Sequence, residues 1–126
     1  MLARYIKNRL NIDYQLAIPF HPRIGERFYI KDPLCVRIGQ TTEIGNDCIV
    51  YSGFSSVAAV KGDENREGQR RHPKIGDRCV LGGNSTVIGA ITIGDDVTIM
   101  PCSIVTKDVP SCSIVSGTNN ICRKEK

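Results

Sequence analysis

The stretch Ile75-Gly76-Asp77-Arg78-Cys79-Val80-Leu81-Gly82-Gly83-Asn84-Ser85-Thr86-Val87, continued by Ile93-Gly94-Asp95-Asp96-Val97-Thr98-Ile99, decides the fold. An aliphatic residue returns at every sixth position: Ile75, Leu81, Val87, Ile93, Ile99 and Val105. Glycine follows it at Gly76, Gly82 and Gly94, and a small or β-branched residue comes four positions after it at Cys79, Ser85, Ile91, Val97 and Ser103. A period of six is neither the 3.6 of a helix nor the simple alternation of a half-buried strand. It predicts strands of a few residues joined by tight turns, where glycine, Asn or Asp can take the required backbone angles.

Upstream, the same spacing holds at Ile38, Ile44 and Val50, with Gly39 and Gly45 behind the first two, and Ile24-Gly25 and Ile30 form a shorter run in another frame. Coils are expected over about 18–110. Between Val50 and Ile75 the pattern stops, and residues 58–71 are polar, charged and punctuated by glycine. This predicts a loop extruded at about 57–72. Long loops in compact domains more often carry function than not; an insertion without a role is the alternative. At the N-terminus, Leu2, Tyr5, Ile6 and Leu10 share one side of a short helix over about 1–11, expected to cap the first coil, with Arg4, Lys7 and Arg9 on a solvated face, contact with a membrane surface being the alternative. Residues 111–126 are expected to form a C-terminal tail, frayed at Arg123-Lys124-Glu125-Lys126.

The 126 residues suit one domain, 1–126. Aromatics are only 6% and tryptophan is absent, so aliphatic side chains must build the core. No run approaches the roughly 18 apolar residues of a membrane span. The opening MLARYIKNRL has three basic groups and no continuous apolar block, unlike a secretory signal, which points to the cytoplasm. A net charge of +4 suits a soluble protein that attracts anions and falls well short of a nucleic-acid footprint. The six cysteines make no C-x-x-C pair and the chain has two histidines, so the closely spaced ligands of a zinc site are missing and no metal is expected. Cys48 and Cys79 fall where the repeat places small buried residues.

Segments such as Ile44-Gly45-Asn46-Asp47-Cys48-Ile49 and Ile93-Gly94-Asp95-Asp96-Val97-Thr98 resemble the hexapeptide repeat of left-handed β-helix acyltransferases. The resemblance implies an all-β fold, a single-stranded left-handed parallel β-helix of about four coils, in which three hexads make one triangular turn. It narrows further. Ile18-Pro19-Phe20-His21-Pro22-Arg23-Ile24-Gly25, Arg71-His72-Pro73-Lys74-Ile75-Gly76 and Val105-Thr106-Lys107-Asp108-Val109-Pro110 are similar to segments of serine acetyltransferases and their short relatives in bacterial surface-polysaccharide clusters. That implies acetyl transfer from acetyl-CoA to a hydroxyl, of serine or of a sugar in a glycan acceptor, at sites between subunits of a homotrimer. A hydroxyl needs a general base to take its proton, and the oxyanion needs N–H donors.

On this resemblance His72 matches the second active-site histidine and is the candidate base, and Arg71 matches the arginine that holds the substrate carboxylate. Gly83, Ser85 and Pro101 match the CoA groove, with Lys74 or Lys107 near the CoA phosphates. Asp32 stands where the main catalytic histidine belongs, and Pro19 where its acidic partner belongs. Val57-Ala58 replaces a Gly-Gly, and Gly117-Thr118-Asn119-Asn120-Ile121 replaces the usual ending. Asp32 paired with His72 across the subunit interface would restore an acid–base couple; a solvated Lys31-Asp32-Pro33 turn is the other reading. His21 is read as structural. Because the departures fall on functional positions, a non-catalytic trimeric scaffold that binds a ligand or partner stands beside the enzyme.

Overall fold

The computed structural model describes residues 1–19, 22–59 and 70–125. Helix α1 (Leu2–Tyr14) is longer than the sequence suggests and ends at Gln15, in the left-handed region at φ 53°. None of its residues is buried. The turn at Gln15, closed by the Leu16 N–H on the Leu10 carbonyl at 3.3 Å, delivers Leu16 instead as the first buried side chain.

Past the helix, three strands recur. β1 (Arg23–Ile24), β2 (Tyr29–Ile30) and β3 (Arg37–Ile38) are followed by β4 (Glu43–Ile44), β5 (Ile49–Val50) and β6 (Ser55–Val57). Then come β7 (Lys74–Ile75), β8 (Val80–Leu81) and β9 (Thr86–Ile88), and β10 (Thr92–Ile93), β11 (Thr98–Ile99) and β12 (Ile104–Val105). Each strand pairs in parallel with the strand three further on, so three sheets form: β1-β4-β7-β10, a second containing β2-β5-β8-β11, and β3-β6-β9-β12. These are the faces of a prism whose axis runs across the strands, a parallel β-helix.

The period of six is the length of one face plus one corner. Alternation along each short strand turns its aliphatic residue inward, and the stacked strands align Ile44, Ile75 and Ile93 on one face and Val50, Leu81 and Ile99 on the next. Each of these is at most 4% exposed, and burial of such a side chain stabilises by about 1.5–3 kcal/mol. Phe54 is the large ring of the core, at a corner that other coils fill with Val36, Ser85 or Ser103. Cys48 and Cys79 are buried one above the other and donate to the Gly76 and Gly94 carbonyls, as small core filler. The neighbouring Cys48 sulfur, together with burial, pushes the Cys79 thiol up.

The corner between the β1 and β2 faces explains the glycine–Asn/Asp pairs. The Asn46, Asp77 and Asp95 side chains each accept the backbone N–H of the coil beneath, from Glu26, Asn46 and Asp77, at 2.7–2.8 Å. A Cβ on Gly45 would collide with the Asp77 carboxylate and the Gly76 backbone, so only glycine lets the coils approach there. The next residue takes the left-handed conformation in every coil: Arg27, Asp47, Arg78, Asp96 and Cys112. Its charge alternates, so Arg27 pairs with Asp47 and Arg78 with Asp96, the latter by two bonds of 2.8 and 2.9 Å. The hydrogen bond from each arginine, aided by its charge, holds Asp47 and Asp96 below the ordinary carboxylate value.

The C-terminal segment differs from the expected tail. β13 (Ser113–Ser116) pairs in parallel with β11, and β14 (Asn120–Arg123) folds back antiparallel on β13. Gly117 and Asn119, both left-handed, make the turn, and the Asn119 amide exchanges bonds with Thr106 at 2.8 and 2.7 Å. An antiparallel hairpin covers the sheet edge that the last coil would otherwise leave open. The loop expected at 57–72 lies for the most part outside the described residues: Val57 closes β6, and the chain is described again from Arg70.

Candidate functional site

The corner joining β3 to β4 gathers the chemistry. Residues 39–42 make the turn there, and the returning segment 70–73 lies over it. The Thr41 hydroxyl is 2.8 Å from the Arg71 N–H, 3.1 Å from the His72 N–H and 2.8 Å from His72 Nδ1; the Thr41 N–H is 3.3 Å from the same Nδ1. The imidazole lies flat on Gly39, where a Cβ would overlap the ring. Arg70 pins the segment to the next coil, its guanidinium donating to the His72 and Ile91 carbonyls at 3.2 and 2.9 Å. His72 and Arg71 are half-buried and therefore both held and reachable.

Gly39, Thr41 and Arg70 were not legible as site residues. Gly39 reads as one more glycine of the repeat, and Thr41 meets His72 only because the chain returns to the same corner 31 residues later.

The other candidates divide between corners. Asp32 is exposed at the opposite end of β3, at the β2–β3 corner, so one chain does not bring it to His72. Gly83 and Pro101 occupy that same β2–β3 corner in later coils, with Pro101 exposed. Ser85 differs from expectation: its side chain is fully buried and its hydroxyl donates to the Gly82 carbonyl at 2.6 Å, so it braces the turn from within. Lys107 is exposed at the corner that carries His72, two coils on. Lys74 begins β7, reaches Glu43 at 3.9 Å and lines a shallow groove of about 670 Å³ along Gly25, Gly45 and Gly76. The expected CoA residues are thus not one cluster on a single chain. His21 lies outside the described residues. Among the described residues no group of three or more His, Cys, Asp or Glu is placed to hold a metal ion, and no helix is long and apolar enough to cross a membrane.

Residues 72–107 match the family described as bacterial transferase hexapeptide (six repeats). Those residues carry the hexapeptide repeat of bacterial transferases. The matched span begins at His72, and the repeat itself extends on both sides of it. The chain is 38% identical over 104 residues to the serine acetyltransferase of Helicobacter pylori, covering 81% of this chain and 58% of that protein. Two crystal structures share its fold. Serine acetyltransferase isoform 3 of Entamoeba histolytica, in complex with cysteine, superposes with a TM-score of 0.82 and 30% identity over 99% of this chain and 42% of that one. The serine acetyltransferase of Neisseria gonorrhoeae, in complex with serine, gives 0.79 and 30% over 92% of this chain and 45% of that one. The chain therefore spans about half the length of these relatives.

Proposed function

We propose that this chain is an acetyl-CoA-dependent O-acetyltransferase acting on the hydroxyl of serine, working as a homotrimer of left-handed prisms of about four coils. The observation that carries the reading is the 38% identity to a serine acetyltransferase over 81% of the chain. Arg71 and His72 form the acceptor end, the guanidinium suited to a carboxylate. The β2–β3 corner, with Gly83 and Pro101, forms the CoA end; Lys107 and Lys74 attract the phosphates. In the reaction the hydroxyl oxygen attacks the thioester carbon, the C–O bond forms and the C–S bond breaks. The hydroxyl proton leaves to a base, and the departing thiolate takes up a proton. Because the two ends sit at different corners, a neighbouring copy must supply one of them, and Asp32 of that copy would then face His72.

The test is thiol release from acetyl-CoA with L-serine and, in parallel, with sugar acceptors. Turnover with serine that is lost in Arg71→Ala supports the proposal. Turnover with sugars alone keeps acetyl transfer and replaces the acceptor. No turnover, and no rise in Tm with CoA, overturns it, since a ligand that binds the folded state must stabilise it. The place of Asp32, exposed and at a different corner from His72, favours a second reading, a trimeric binding scaffold without acetyl transfer. A solution mass three times that of the chain is expected under both readings.

A further inference from the structure

The hydrogen bonds around Thr41 fix more than the position of His72. A hydroxyl has two acceptor lone pairs and one proton to give. The Thr41 oxygen receives the Arg71 N–H at 2.8 Å and the His72 N–H at 3.1 Å, which fills both lone pairs. Its own proton is then left for the remaining short contact, His72 Nδ1 at 2.8 Å. The Thr41 backbone N–H also points at that nitrogen, at 3.3 Å, and a backbone N–H can only donate. Nδ1 thus accepts from two donors of one residue. A proton on Nδ1 would abut the Thr41 N–H, which cannot rotate away, and would also force the hydroxyl to give up one of the two N–H bonds it accepts.

We infer that Thr41 is a positioning residue that sets His72 in the Nε2–H tautomer, so that His72 acts at the acceptor site as a hydrogen-bond donor and not as the proton-accepting base. The donor role rests on the proposed acetyl transfer; the tautomer does not. Gly39 completes the device, because the ring can lie flat on the corner only where no Cβ stands. The sequence reading of His72 as the base is revised accordingly: a base must present a bare nitrogen to the hydroxyl, and the bare nitrogen here faces Thr41, inside its own subunit. Polarising a carboxylate, a hydroxyl oxygen or the thioester oxygen needs only the N–H that Nε2 supplies.

The full chain labelled with ¹⁵N-histidine tests this. A two-bond ¹H–¹⁵N correlation spectrum at neutral pH, with the His72 signals assigned by their loss in His72→Gln, should show a bare Nδ1 and a protonated Nε2. Thr41→Val keeps the backbone N–H on Nδ1 and removes only the hydroxyl, so it should shift the Nδ1 signal, and Thr41→Ser should return it to its original position. An Nδ1–H signal in the unsubstituted chain overturns the inference, whether or not Thr41→Val folds, and so does an Nδ1 signal that folded Thr41→Val leaves unmoved. Kinetics test the role. A glutamine amide can donate where Nε2 does but cannot act as a base, so His72→Gln should keep kcat within about 10-fold while His72→Ala falls further. Loss of a base costs about 10²–10⁴-fold, and an equal loss of that size in His72→Gln and His72→Ala overturns the donor role. The expected spectrum in a chain that acetylates nothing would uphold the tautomer and end the acetyl-transfer reading, so the two failures are distinct.

Discussion

The imidazole of His72 rests on Gly39, in contact so close that residue 39 has no room for a side chain. The backbone of Gly39 is not in the left-handed region, so the requirement is one of space alone.

Gly39→Ala therefore separates the site from the fold. The methyl group must displace the ring, breaking the Thr41 contacts, while the core-facing residues of the coil stay as they are. The expected outcome is a loss of about 1–3 kcal/mol in urea unfolding, the usual cost of overpacking, with a far larger proportional loss of any acetyl transfer. Full activity in Gly39→Ala would show that His72 has no role in the reaction.

The charge ladder at the β1–β2 corner makes stability depend on pH with a definite sign. Hydrogen bonds from Arg27 and Arg78 depress the pKa of Asp47 and Asp96 below the ordinary 3.8. A carboxylate depressed in the folded state contributes stability that is present above its unfolded pKa and is lost as pH falls through the folded one. Thermal melts should be nearly flat from pH 7 to about 5 as far as these groups are concerned, with Tm dropping below about pH 4. Arg78→Gln should shrink the acid part of that drop. All four side chains are at the surface, so about 1 M salt should weaken the effect.

Phe54 is fully buried at a corner where the coils on either side place much smaller residues. Neighbouring turns are held in register by their stacked strands and cannot collapse inward to fill a void there. Phe54→Ala should cost about 3–5 kcal/mol in urea unfolding; Phe54→Leu should cost less than half of that. A cost near zero for Phe54→Ala would mean that this corner is not packed as described.

Thiol titration offers a direct check on the core. Cys35, Cys102, Cys112 and Cys122 are exposed, whereas Cys48 and Cys79 are buried, and the Cys79 thiol is pushed up by its neighbour and by burial. An aromatic disulfide reagent should titrate four thiols rapidly in the native chain and the last two only on unfolding. Assembly of copies over an exposed cysteine would lower the fast count, while fast reaction of Cys48 or Cys79 would contradict the packing.

The interior was legible because the hexad is local. Ile75, Leu81, Val87, Ile93 and Ile99 point inward for a reason contained within six residues: a short strand alternates its side chains, and the corner after it resets the phase. The corner residues were legible for the same reason, since glycine followed by Asn or Asp is what a tight turn between stacked coils requires. The ends read less well. The apolar side of α1 resembles that of a packed helix, yet none of its residues is buried and the burial falls to Leu16. Residues 113–123 look like a polar tail because β14 buries little and β13 buries only Ser113 and Val115, and their pairing becomes visible only where β11 offers a free edge.

The sequence by itself determined the repeat, the inward positions, the glycine corners and the pairing of His72 with Arg71 in a recognisable segment. Tertiary structure alone decided which residues share a corner. It put Thr41 and Gly39 under His72, set Asp32 at the far end of β3 and turned Ser85 inward. The physical reason is that contacts along a coil are fixed by neighbours in the chain, whereas contacts between coils depend on the strand register and on which corner residues 70–73 meet. A proton on Nε2 rather than Nδ1 follows from that second kind of contact.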